Sequence, residues 1–72
     1  MFMVKWVARC DETVPIESDE SAYQQLSMAV SRAIVRLEAV RLRHPKAPPD
    51  GFIVFDNRTG EELHRWFAST GR

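Results

Sequence analysis

Apolar and polar side chains alternate from the second residue onward. Phe2, Val4, Trp6, Ala8 and Cys10 fall on one side of an extended chain, and Met3, Lys5, Val7 and Arg9 on the other. This two-residue period predicts a strand over about 2–10, with the first, continuously apolar side facing a core. Residues 11–20 lose the pattern. They carry Asp11, Glu12, Glu17, Asp19 and Glu20 together with Pro15, and they read as a loop. Val14-Pro15-Ile16 is at most a brief extended edge.

The period then changes to that of a helix, expected over about 19–43. Ser21-Ala22-Tyr23-Gln24 has the spacing of a capping box, in which a hydroxyl and an amide satisfy each other's free backbone donors. Asp19 and Glu20 suit the positive end of the helix dipole, Arg41, Arg43 and His44 its negative end. Pro45, Pro48 and Pro49 stop the helix. At 100° per residue, Ala22, Tyr23, Leu26, Ala29, Val30, Ala33, Ile34, Leu37 and Val40 share one arc about 140° wide. That arc is the expected core stripe, and its alanines predict a close approach to a sheet. A thinner stripe of Met28, Val35, Ala39 and Leu42 lies on the far side. Gln25, Arg32, Arg36 and Arg43 run between the two.

Pro45 to Gly51 is a proline-rich connector, too short to separate domains. Phe52-Ile53-Val54-Phe55 is strongly β-prone, and Leu63, Trp66 and Phe67 mark a second extended piece. Asn57 and Gly60 supply the permissive backbone of the turn between them, so a hairpin is expected over about 52–68. Residues 69–72 are expected to fray. The prediction is thus one domain over 1–72, α+β in class. A long amphipathic helix covers one face of a three-stranded, mainly antiparallel sheet in the order β-α-β-β. Placing the first strand beside the third makes every neighbour antiparallel, and that order is preferred.

One helix shelters one face of such a sheet. With Asp56 opposite Glu61, the set Phe52, Val54, Leu63, Arg65 and Phe67 joins Val4 and Trp6 beneath the helix. Ile53, Phe55, Glu62, His64 and Trp66 then join Met3, Lys5, Val7 and Arg9 on the open side. Met3, Val7, Ile53, Phe55, His64 and Trp66 become interface candidates, because a contiguous apolar patch usually marks a docking surface. One competing expectation is that the N-terminal segment or the acidic loop folds over this side. Another is a register slipped by one residue, which exchanges the two faces and still leaves an apolar patch.

Composition narrows the choice of function. Seventy-two residues support a small core, which benefits from a partner, a metal or disulfides. One cysteine excludes an internal disulfide, and no Cys/His set has metal-ligand spacing. Next to Asp11 and Glu12, Cys10 is a poor nucleophile and is expected to be a small buried residue. The acidic loop lacks the glycine and terminal glutamate of a calcium loop. His64 has Glu62 nearby but no second catalytic group or pocket, and His44 is expected to cap the last helical turn. No cofactor is implied. Formal net charge is zero, yet residues 32–49 hold five basic and one acidic side chain. Arg32, Arg36, Arg43 and Lys46 could contact phosphates, and Lys5, Arg9, His64 and Trp66 could hold unpaired bases on the open sheet face. The Met28, Val35, Ala39, Leu42 stripe offers a further assembly surface. No segment approaches a membrane span or an export signal, and a lone thiol fits a reducing cytoplasm. The expected function is a small non-enzymatic protein-interaction module, self-associating through the open sheet face or binding another protein. A small nucleic-acid-binding accessory is the alternative.

Overall fold

Val4 and Trp6, two residues apart on an extended chain, are 0% and 1% exposed, as the alternation predicts. The computed structural model describes residues 1–68, the side chain of Glu20 excepted. The expected fraying of residues 69–72 lies outside the described residues. Five elements follow in order: β1 (Phe2–Val7), β2 (Glu17–Tyr23), α1 (Leu26–Arg43), β3 (Gly51–Asp56) and β4 (Glu62–Phe67). The strands form one sheet in the order β2-β1-β3-β4, every neighbouring pair antiparallel. The helix packs over β1, β3 and β2. This is the two-layer α+β architecture expected, with one strand more than the three anticipated.

The added strand is β2, which occupies the last residues of the expected loop and the expected first turn of the helix. Its sequence is almost wholly polar, so no apolar alternation marks it. It is held by pairing with β1, including Phe2↔Tyr23 and Trp6↔Glu17. The Asp19 carboxylate accepts hydrogen bonds from the Ser21 N–H at 2.9 Å and the Tyr23 hydroxyl at 2.6 Å. Those bonds keep Ser21 to Tyr23 extended, so the capping box does not form. The helix instead begins at Leu26, with Gln25 as an N-cap that makes no side-chain bond and no acid in the first turn. Its other end is as expected: Arg41 and Arg43 lie in the last turn, and the His44 N–H donates to the Arg41 carbonyl.

Because β2 turns the chain back, β3 enters antiparallel to β1 and lies beside it, and β4 takes the outer edge. The preferred adjacency of the first strand to the last is therefore corrected. The missing reversal is the reason.

Ala29, Ala33, Leu37 and Val40 of α1 are buried against Val4, Trp6, Phe52 and Val54. The small side chains of Ala29 and Ala33 bring the helix backbone close enough for the Trp6 Nε1–H to donate to the Ala33 carbonyl at 3.2 Å. A carbonyl has two lone pairs, so this bond coexists with the helical one. Ile34, expected in the core stripe, is 51% exposed. It sits on the flank where the stripe curves away from the sheet. Cys10, expected to be buried, is exposed just beyond the end of β1.

The hairpin turn forms as expected. The Asp56 N–H donates to the Glu61 carbonyl at 2.8 Å, and Gly60 adopts a φ of 78° suited to a residue without Cβ. Beyond the turn the register shifts. Phe55 pairs with Glu62 but Val54 pairs with His64, leaving Leu63 as the extra residue of a bulge. The faces of β4 are exchanged from that point. His64 and Trp66 join Val54 and Phe52 on the helix side, while Arg65 and Phe67 join Ile53 and Gly51 on the other. The close pairing there depends on Gly51, whose Cβ would lie 2.0 Å from the Trp66 carbonyl oxygen.

The close helix approach is testable. Ala33→Leu should lower stability by about 1–3 kcal/mol through overpacking. Ala39→Leu, on the exposed side, should change it by less than about 0.5 kcal/mol. Urea unfolding midpoints distinguish the two.

Candidate functional site

Cross-strand rows organise the chemistry of the sheet. On the helix side, one row runs Glu17, Trp6, Phe52, Trp66 and the next runs Asp19, Val4, Val54, His64. Each row is acidic at one edge, aliphatic or aromatic in the middle and closed by a ring at the other edge. The helix does not extend over β4. There His64 and Trp66 cover Phe52 instead, stacking on it with ring centroids 6.3 and 5.8 Å apart. Trp66 remains 41% exposed.

The acidic edge meets the arginines of α1. Asp19, 6% exposed, takes the Arg36 guanidinium at 3.1 Å, and Arg36 also lies over the Trp6 ring. Burial works to raise the Asp19 pKa, but bonds from Tyr23 and Ser21 and the Arg36 charge outweigh it and hold the carboxyl below its ordinary value. Burial raises the Tyr23 pKa, and the neighbouring Asp19 carboxylate adds to the effect. Glu17 accepts two bonds from Arg43, at 2.8 and 2.7 Å, and lies 2.8 Å from His44 Nε2. The Arg43 bonds, with His44 assisting, outweigh partial burial and hold its pKa at about 2. Two members of the proposed phosphate-binding stripe, Arg36 and Arg43, therefore already have carboxylate partners. Arg32 and Lys46 are exposed and form no ion pair among the described residues.

The opposite face of the sheet differs from the expected open patch. Met3, Val7, Ile53 and Phe55 lie on it as anticipated, whereas His64 and Trp66 do not. Val7 is 0% and Ile53 3% exposed, so the centre of the patch is already covered. Long basic side chains lie over the rings around that centre. Lys5 lies over the Phe55 ring, and Arg9 and Arg65 both lie over Phe67. Arg9 also donates to the Ala68 carbonyl, and Arg65 pairs with Glu12 and Glu62. The competing expectation, a fold-back of the acidic loop, describes the Glu12 contact. Met3, Phe55 and Phe67 stay half-buried around this cover. Arg65, expected under the helix, is part of it.

An aligned set of exposed apolar side chains instead lies along the outward face of α1. Met28, Val35 and Leu42, seven residues apart, are 55%, 71% and 75% exposed, and Ala39 is exposed between them. Beside the first half of this line, Tyr23, Ser27, Met28, Ser31, Arg32 and Val35 enclose an open notch of about 300 Å³. Tyr23 belongs to β2 and the others to the helix. The wall exists because β2 runs up to the helix start, a feature the sequence pattern does not display.

Among the described residues no three His, Cys, Asp or Glu side chains form a metal-binding group, and every buried side-chain polar atom has a partner. No helix is long and apolar enough to cross a membrane. Comparison with protein-family models, curated proteins and solved structures gives no match to this chain.

The Glu17 contacts carry a pH prediction. A carboxyl held at about 2 in the folded chain, against 4.5 ordinarily, contributes stability that is complete above pH 4.5 and lost as pH falls through 2. Glu17→Gln should therefore flatten the decline in stability over that window. Solvent around Arg43 and His44 keeps the amplitude small. Urea melts of both proteins from pH 6 to about 2 check this.

Proposed function

We propose that the chain is a small non-enzymatic protein-interaction module that docks through the outward face of α1. The carrying observation is the line Met28, Val35, Leu42, whose members are more than half exposed at a spacing of seven residues. Seven residues are nearly two helical turns, so the three side chains stack into one strip along the helix. Scattered apolar residues are ordinary on a surface, but an aligned strip beside a notch offers a continuous contact for another helix or extended segment. Recruiting this strip also suits a domain whose own core is small.

The sheet face expected to drive self-association has less to offer. Its two central apolar residues, Val7 and Ile53, have already left water, and uncovering the rings would first displace Lys5 from Phe55, or Arg9 and Arg65 from Phe67. Such contacts are worth about 0.5–1 kcal/mol each at exposed sites.

One observation favours a second reading, binding of single-stranded nucleic acid on that same face. Lys5, Arg9 and Arg65 surround Phe55 and Phe67 there, which places cations beside rings able to stack on bases. Glu12 and Glu62 in the same neighbourhood work against it. Retention on single-stranded DNA or RNA that fades with salt and is lost in Lys5→Ala with Arg9→Ala would support this reading. No retention at low salt would remove it.

For the docking strip, the double variant Val35→Glu, Leu42→Glu should fold with nearly unchanged stability while losing association with any partner. A variant that unfolds would show instead that the strip serves the fold.

A further inference from the structure

Resting on the docking role of α1, we propose the chemistry of its partner: an amphipathic segment whose apolar seam is flanked by acidic residues, and not a second copy of this chain. Charge around the strip selects this partner. Viewed down α1, Met28, Val35 and Leu42 form the centre line, and Arg32, Arg36 and Arg43 follow one flank at helical spacing. The other flank carries Ser27, Ser31 and Glu38. Over Leu26–Arg43 the helix holds Arg32, Arg36, Arg41 and Arg43 against Glu38 alone. Asp19 and Glu17 engage Arg36 and Arg43 from the sheet side. Arg32 has no such partner among the described residues, and it lines the notch with Met28 and Val35.

A second copy fits this surface poorly. In an antiparallel pairing of two such helices about a two-fold axis, the arginine flank of one helix meets the arginine flank of the other. That flank holds no free carboxylate, because Asp19 and Glu17 already neutralise Arg36 and Arg43, so such a copy leaves Arg32 without a counter-charge. An acid-flanked segment supplies the carboxylate that Arg32 lacks. Its apolar side chains would lie along Met28, Val35 and Leu42, with one of them entering the notch against the Tyr23 wall. A carboxylate beside it would reach the Arg32 guanidinium.

The test uses designed amphipathic peptides of about 20 residues, long enough to hold helical structure. They share one leucine seam and differ only in flanks of Glu, Gln or Lys. Each is titrated into the isotopically labelled full chain and followed by amide shifts. The Glu-flanked peptide should perturb Met28, Arg32, Val35 and Leu42 and bind about tenfold more tightly than the Lys-flanked one at low salt. Added salt should narrow that gap. Arg32→Glu should weaken the Glu-flanked peptide about fivefold, and circular dichroism confirms that this exposed substitution leaves the fold intact. Equal binding of the three peptides at the strip would overturn the charge assignment and leave the docking role standing. Perturbation elsewhere, or none with any peptide, would overturn both. A concentration-dependent dimer abolished by Val35→Glu would support the docking role while replacing the proposed partner with a second copy.

Discussion

A single helix cannot cover a sheet four strands wide. The outer strands of such a sheet lie about 14 Å apart, while a helix with its side chains is about 10 Å across. The rest of the structure answers that shortfall. The helix comes down close through Ala29 and Ala33, is fixed at its middle by the Trp6 hydrogen bond and takes the central strands. Each edge then needs its own cover. At β2 the cover is ionic, with Asp19 and Glu17 reaching up to Arg36 and Arg43. At β4 it is aromatic, with His64 and Trp66 lying against Phe52.

The far side of the sheet carries no helix among the described residues and uses a third device. Lys5, Arg9 and Arg65 lay their long side chains over aromatic rings while their charged ends stay near water or carboxylates. The result is a face whose apolar centre is closed without a second layer. The outward face of α1 receives no comparable treatment. Its aligned Met28, Val35 and Leu42 contribute nothing to the interior, so the strip belongs to the surface on which docking chemistry is to be sought.

The sequence displayed the elements whose burial is periodic. Val4 and Trp6, the Ala29-to-Val40 stripe, the β-prone Phe52-to-Phe55 run and the Asn57–Gly60 turn all carry their own local signal. The missed strand carries none, because Glu17 and Asp19 point inward only by virtue of arginines some twenty residues later. That pairing spans Asp19 to Arg36 and Glu17 to Arg43, and a local window cannot contain it. The face of β4 was lost for a different reason. The turn carries its own local signal, but one extra residue, Leu63, inverts every side chain after it. His64 and Trp66 therefore left the expected patch, while Phe67 entered the same face. The thin helical stripe was visible from the start, and its weight increased once the sheet face proved to be covered.

The docking role of α1 depends on which apolar groups are in contact with water. Methyl relaxation of the labelled chain in the presence of a soluble paramagnetic agent measures this directly. Strong broadening at Met28, Val35 and Leu42, with Val7 and Ile53 spared, is the expected pattern. Broadening at Val7 and Ile53 with the helix methyls protected would contradict it.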